Sequence, residues 1–478
     1  MSILSEKAIL NTEDVLMKIE EYSSQEAVSP FAKLNLKLLK NSIQNKHGLN
    51  METKHDLVFI GKTRVGKSTN LCSIFNFYYY EGNKKLQMLP ADTGGTTTPC
   101  TVEIDNFEGA TYIEVTNIDN QMLQKYLKVF IQKKIDKDSV ESLPEEIQAI
   151  IKRKIGKETI SQIESIENPV QAVDYIFENT KIEYTNELVC LSPEDECGDI
   201  NSTFKWVKET LDNIRHGKVE DVFIPLKIVI HISKKVRQLP EWANKIVDTR
   251  GIIGADLSED NNGSNSIMNR DDLKEYINNK NSYVVFITEF ADMDNSIKEY
   301  YKELLTSTDS DISSTSRHMI LISTKPDMVD SKISDEYENE SEKEGLRRIV
   351  IAEKVESFEG SVLDFVSKLK DSNLERDIKS LEIYTNLVEK VDSFQETKIK
   401  LVNLVLFEAK KYYQEGELEE EHSRQIQGVI SDKIKVIHSI LDNEIRDACE
   451  LAVSIIKSKT GKDRPSTRLE NELETFKK

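Results

Sequence analysis

The nine residues GKTRVGKST at 61–69 constrain this chain more than any other stretch. They follow the apolar run LVFI at 57–60 and precede NLCSIFNFYYY at 70–80, so a buried strand leads through a glycine-bearing loop into a helix. The spacing GxxxxGK[ST] suits phosphate. Glycines let backbone N–H groups close around an anion, and a helix N-terminus favours its charge. In this reading Gly61, Thr63, Arg64, Val65, Gly66 and Thr69 form the cradle, Lys67 reaches the terminal phosphates, and the Ser68 hydroxyl holds Mg²⁺.

Two further motifs end apolar strands downstream. Val247 runs into Asp248, Thr249, Arg250 and Gly251. A carboxylate at Asp248 can hold the Mg²⁺ through water, and the N–H of Gly251 can meet a γ-phosphate. The following stretch, IIGADLSEDNNGSN, reads as a switch segment. After HMILIS comes Thr324, Lys325, Pro326 and Asp327. A carboxylate at Asp327 accepts both donors on the pairing edge of guanine, a pattern adenine lacks, while the Lys325 stem lies along the base. The run GGTTTPCT at 94–101 leads into another strand and fits a loop in which one threonine touches Mg²⁺ and the γ-phosphate. The choice stays open between Thr97 and Thr98, with Thr96 a third option.

In this order the motifs resemble the signature set of guanine-nucleotide-binding proteins, and more narrowly the large GTPases of the dynamin superfamily. The resemblance covers about 55–390 and implies an α/β P-loop domain with a mostly parallel sheet, GTP hydrolysis with Mg²⁺, GTP and GDP as ligands, and nucleotide-dependent dimerisation through that domain coupled to rearrangement of the flanking helices. Arg64 stands where guanylate-binding proteins and atlastins carry an arginine that resembles a finger supplied within the same chain; a solvent-facing role is the alternative. DTRG also looks like the DTxG of those relatives, whereas TKPD looks dynamin-like. Arg250 occupies the place of a catalytic Gln, which leaves the water-activating group unassigned, and Thr385-Asn386 is the candidate fifth guanine motif. Lys67, Thr97 and Thr98 join Arg64 in the catalytic set, with Ser68, Thr97 and Asp248 on the metal. Two other classes remain: a septin-like scaffold that holds GTP without turning it over, and a P-loop ATPase in which TKPD is only a turn.

Around this core the chain divides into an N-terminal helical segment (1–54), the P-loop domain (55–390) with a helical insertion at about 117–222, and a helical region (391–478). Ser29-Pro30 reads as an N-cap and first helical residue. Strands are expected at 57–60, 101–104, 112–115, 223–232, 245–247, 283–287 and 319–322, with a further one at 381–384. Ile426, Ile430, Ile434, Ile437, Leu441, Ile445, Ala448, Ala452 and Ile455 recur every three or four residues. That stripe favours a bundle within the chain, where N- and C-terminal helices pack together, over a coiled coil between chains. The C-terminal region is short for a full dynamin stalk, so the resemblance leaves polymerisation and membrane remodelling open.

Charge and cysteine content exclude several classes. The formal net charge of -20 argues against a general binder of nucleic acid or anionic lipid. Cys72, Cys100, Cys190, Cys197 and Cys449 have no metal-ligand spacing and read as reduced thiols of a cytoplasmic protein. No signal-peptide block opens the chain, and no apolar stretch approaches the ~18–20 residues needed to span a bilayer, so membrane contact is expected to be peripheral at most. Helical protein partners fit the charged flanking helices.

Overall fold

The computed structural model describes residues 11–90, 100–135, 143–180, 188–251, 281–289, 319–324, 404–407 and 419–457, less 27, 52, 53, 63, 64, 144, 164, 167 and 194–197, together with scattered residues between 273 and 353. The chain opens with α1 (Thr12–Ser24), α2 (Pro30–Met51), β1 (His55–Ile60), α3 (Lys67–Phe75), β2 (Tyr78–Glu81) and β3 (Lys84–Gln87). It continues through β4 (Thr101–Phe107), β5 (Tyr112–Asn117), α4 (Asn120–Ile135), α5 (Glu145–Ile155), α6 (Lys157–Ile163), α7 (Pro169–Asn179), β6 (Leu188–Leu191) and α8 (Ile200–Arg215). The last described elements are β7 (Pro225–Ser233), β8 (Ala243–Asp248), β9 (Ser282–Glu289), β10 (Met319–Thr324), β11 (Leu404–Phe407) and the 39-residue helix α9 (Glu419–Lys457).

Strand β1 is buried along all six residues, and its apolar stretch LVFI at 57–60 suits a strand covered on both faces. It sits inside a nine-stranded sheet of order β11-β10-β9-β1-β8-β4-β7-β5-β6. The strands from β11 to β8 all run parallel. Beyond them β4 is antiparallel to β8 and parallel to β7, while β5 and β6 add antiparallel pairs. The fold is therefore α/β with a mostly parallel sheet. Because β1, β8, β9 and β10 share one direction, Gly61, Asp248 and Thr324 all emerge at the carboxyl edge, where open α/β sheets bind ligands.

The expected strands at 57–60, 101–104, 112–115, 223–232, 245–247, 283–287 and 319–322 correspond to β1, β4, β5, β7, β8, β9 and β10. Three segments differ from the sequence reading. The stretch 70–80 is not one helix: α3 stops at Phe75, where Asn76 turns left-handed (φ 56°) and its N–H caps the carbonyls of Cys72 and Ser73. The tyrosines that follow then form a hairpin, β2 with β3, as aromatic residues favour. Strand β6 lies inside the insertion read as helical, and β11 lies in the C-terminal region read as helical. Short apolar runs such as LVCL and LVLF fit either state, and pairing to β5 and β10 decides them. The expected strand at 381–384 and Thr385-Asn386 lie outside the described residues.

The terminal helices pack on each other. Ser29 Oγ accepts the Ala32 N–H at 3.2 Å, capping α2 as its Ser-Pro start implies. Val15 and Ile19 of α1, and Leu36, Leu39 and Ile43 of α2, bury against Ile445, Ala448, Cys449, Ala452 and Ile455 of α9. Further toward its N-terminus, α9 inserts Ile426, Ile430 and Ile434 into the core shared by β1, α3 and β4. Each such isoleucine contributes about 1.5–3 kcal/mol by burial. The stripe of α9 thus closes an intramolecular bundle. Helices α4 to α7 enclose a separate core that includes Leu127, Ile150, Ile151, Val173 and Ile176, while α8 returns Phe204, Val207 and Leu211 to the sheet.

Candidate functional site

The loop after β1 needs glycine twice for different reasons. A Cβ on Gly61 would lie 2.3 Å from the Ile287 carbonyl oxygen of β9, so the chain can leave β1 there only without a side chain. Gly66 has φ 89° and forms the N-cap of α3, a left-handed conformation that L side chains rarely adopt. Asn70, one turn into the helix, donates from Nδ2 to the Gly66 carbonyl at 2.6 Å and fixes that turn from within. The first N–H groups of α3 have no acceptor inside the helix and face outward from its N-terminus. That arrangement favours an anion.

Lys67 and Ser68 occupy the first turn of α3, and both are buried. The Lys67 ammonium donates to the carbonyls of Gly61 and Lys62, each at 3.1 Å, so it lies folded back over its own loop. Ser68 Oγ donates to Asp248 Oδ2 at 2.6 Å, joining positions 180 residues apart. Asp248 is 1% exposed, and its second oxygen, Oδ1, is buried with no hydrogen-bond partner among the described residues. Desolvation dominates its titration and pushes the carboxyl above the usual range, opposed by the charge of Lys67 and the bond from Ser68. An orphaned carboxylate oxygen beside a serine hydroxyl is an incomplete site for a hard cation. These donors fit Mg²⁺, which prefers one or two protein oxygens and completes its octahedron with water and phosphate.

Thr249, absent from the sequence-based site, has a supporting role. Its hydroxyl donates to the Phe59 carbonyl at 2.7 Å and its N–H reaches the same oxygen at 3.3 Å. These bonds hold the end of β8 against β1 and set Asp248 opposite the loop. Asn70 is a second residue that the motifs do not single out; only its place four residues after Gly66 hints at it. Val65 is buried in the main core, and Thr69 follows Ser68 in the first turn of α3. Gly251 stands three residues past the end of β8, and Thr324 ends β10 at the same sheet edge. Thr63, Arg64, Thr96, Thr97, Thr98, Lys325 and Asp327 lie outside the described residues.

No protein-family model matches the chain, and no curated protein matches it. Among solved structures, two that describe an oligomerised bacterial dynamin pair, with a mechanism for long-range sensing and tethering of membranes, are similar to it. One is 10% identical with a TM-score of 0.35, over 93% of this chain and 47% of that one. The other is 11% identical with a TM-score of 0.34, over 97% of this chain and 58% of that one. The chain thus spans about half the length of these structures. At these values the likeness adds no weight to the geometry above. Among the described residues no helix is long and apolar enough to cross a membrane.

Proposed function

We propose that this chain binds a guanine nucleotide with Mg²⁺ at the carboxyl edge of its sheet and hydrolyses GTP to GDP and phosphate. The observation that carries this reading is the Ser68–Asp248 bond at the N-terminus of α3, with the second oxygen of Asp248 buried and unmatched. Phosphoryl transfer asks a protein mainly for positioning and electrostatic stabilisation. Residues Gly61 to Thr69 supply the cradle, and Lys67 exchanges the carbonyls of Gly61 and Lys62 for the terminal phosphates. Bound Mg²⁺ would neutralise charge on the β- and γ-phosphate oxygens, with Ser68, Asp248 and one of Thr97 and Thr98 around it. Gly251 contributes its backbone N–H to the γ-phosphate, three residues beyond Asp248.

Base choice rests on Thr324, Lys325 and Asp327. Thr324 ends β10, which β9 and β1 separate from β8, and Asp327 follows three residues later. Arg64 belongs to the catalytic set, pressed toward the phosphates when a second copy of the domain docks over the site and excludes water. A homodimer through this domain, a cytoplasmic setting and at most peripheral membrane contact complete the reading.

Competition between GTP and ATP tests it. The wild type should prefer GTP, and Asp327→Asn should weaken guanine nucleotides on the order of a hundredfold while improving xanthine nucleotides. A wild type that prefers ATP overturns the guanine assignment. Turnover per molecule should rise with protein concentration, and Arg64→Ala should remove that rise while leaving GTP affinity within about threefold. Equal rates for both proteins at every concentration would reduce Arg64 to a surface residue.

A further inference from the structure

Asparagine is an unfavourable choice inside a helix, because its amide competes with the backbone for hydrogen bonds. Asn70 nevertheless closes the first turn of α3 and is 1% exposed, with the core residues Leu71 and Ile74 following it in the helix. Its amide is only half matched. The Gly66 carbonyl accepts the Asn70 backbone N–H at 2.9 Å, the ordinary bond of a helix start, and then accepts Nδ2 as well at 2.6 Å. That second bond fixes the orientation of the amide, since turning it over would set two oxygens against each other. Oδ1 is then left buried, with no hydrogen-bond partner among the described residues. A Cβ built on Gly66 would lie 3.2 Å from Nδ2, so the amide sits directly on that glycine.

A buried acceptor without a donor destabilises a fold, and an apolar side chain of the same branching removes that loss. Leucine is such a side chain, so the core around α3 has no need of the Asn70 amide. What the amide does supply is a second hold on Gly66, whose φ of 89° turns the loop into the helix. The N–H groups that open α3 converge on an anion only while that turn keeps its shape. We infer that Asn70 is a positioning residue for phosphate, which holds the loop in its anion-receiving shape before a ligand arrives while lowering the stability of the fold. This rests on the proposed nucleotide binding and adds to it the residue that preorganises the loop. Ordering done in advance no longer opposes binding, so the clamp on Gly66 is felt as affinity. Removing the amide therefore moves stability and affinity in opposite directions, which a residue that merely props the helix does not do.

The test uses the 478-residue chain with Mg²⁺ and GDP, a non-hydrolysable GTP analogue or the matching ATP analogue. Asn70→Leu keeps the branched shape and Asn70→Ala removes it, so the pair separates the lost amide from altered packing. Ser73→Ala, which deletes a bond with the Tyr78 hydroxyl farther along α3, is the control. Thermal unfolding and amide hydrogen exchange along 61–66 are followed without nucleotide, and dissociation constants are measured for all four proteins. We expect at least one Asn70 variant to unfold at or above the wild-type temperature. Both should exchange faster along 61–66 and bind nucleotide on the order of tenfold more weakly. Ser73→Ala should unfold earlier and keep wild-type affinity. Two Asn70 variants that both unfold earlier, or fail to fold, overturn the inference. So does wild-type affinity in either, unchanged exchange along 61–66, or an equal loss of affinity in Ser73→Ala. Binding of the ATP analogue alone would refute the guanine assignment, and the clamp is then read with ATP; a wild type that binds neither refutes the nucleotide reading itself, and the inference with it.

Discussion

The helical insertion and the C-terminal helix are both additions to the same sheet, yet they join it in opposite ways. Helices α4 to α7 leave the sheet after β5 and bury their apolar faces against one another, around Leu127, Ile150, Ile151 and Val173. Their core is separate from that of the sheet, and α8 is the part that comes back to it. Helix α9, more than 300 residues after β1 in the chain, places Ile426, Ile430 and Ile434 in the sheet core itself and donates from Ser423 and Gln427 to the Ile74 carbonyl of α3. Distance along the chain therefore says little about integration. What decides it is whose carbonyls and whose apolar surface an element satisfies.

That contrast fixes the expected rank of core substitutions. Ile430→Ala should cost about 3–5 kcal/mol and lower the urea midpoint of the whole domain, with nucleotide affinity falling as α3 loosens. Ile151→Ala deletes as much side chain but in the other core. It should cost about 2–4 kcal/mol, seen as an earlier, separate transition of the insertion, with nucleotide affinity unchanged. If the two variants lose nucleotide affinity equally, the insertion is as integral as α9 and the contrast fails.

The smallest effect concerns a second contact of α9. His55, the first residue of β1, meets His438 of α9, with the two Nε2 atoms 3.1 Å apart, and its ring packs edge-on to Tyr283. Burial foremost, then the neighbouring His438, push the His55 imidazole down to about 4, against a backbone bond to Asn281 that favours its charge. The folded value lies below the ordinary 6.5, so the unfolded chain takes up the proton first. Stability held by neutral His55 is intact above pH 6.5 and is lost as pH falls from there toward 4. Denaturant unfolding at pH 7 and pH 4.5 should show wild type losing roughly 2 kcal/mol more than His55→Phe. Equal losses would mean that the ring is not held neutral by α9 and β1.

Much of the carboxyl edge is legible in the sequence because each of its parts is local. LVFI before GKTRVGKST gives a strand and a helix start, and IVDTRG and HMILISTKPD end strands in the same way. What joins them is not local. The motifs put Ser68 and Asp248 on one Mg²⁺, but their direct bond, and Thr249 as the bolt on Phe59, depend on β1 and β8 pairing in parallel register. The end of α3 is hidden because the aromatic run after Asn76 carries no proline or glycine, and the break is a left-handed turn at Asn76 itself. Charge on a strand is no better guide. Glu103 is 5% exposed and paired with Lys227 at 2.8 Å and Lys245 at 3.1 Å across neighbouring strands. Ser423 and Gln427 look like ordinary polar positions of an amphipathic helix until α3 is seen beneath them.

The central claim is that the start of α3 is a phosphate site with Lys67 as its point charge. Calorimetric titration of Mg²⁺ and GTP into the 478-residue wild type and its Lys67→Ala variant tests it most directly, with thermal unfolding of both proteins as the check on folding. The account predicts saturable binding by the wild type and a loss on the order of a hundredfold or more for Lys67→Ala, since a charge-assisted contact to phosphate is removed. Unchanged affinity in a folded Lys67→Ala protein would contradict it.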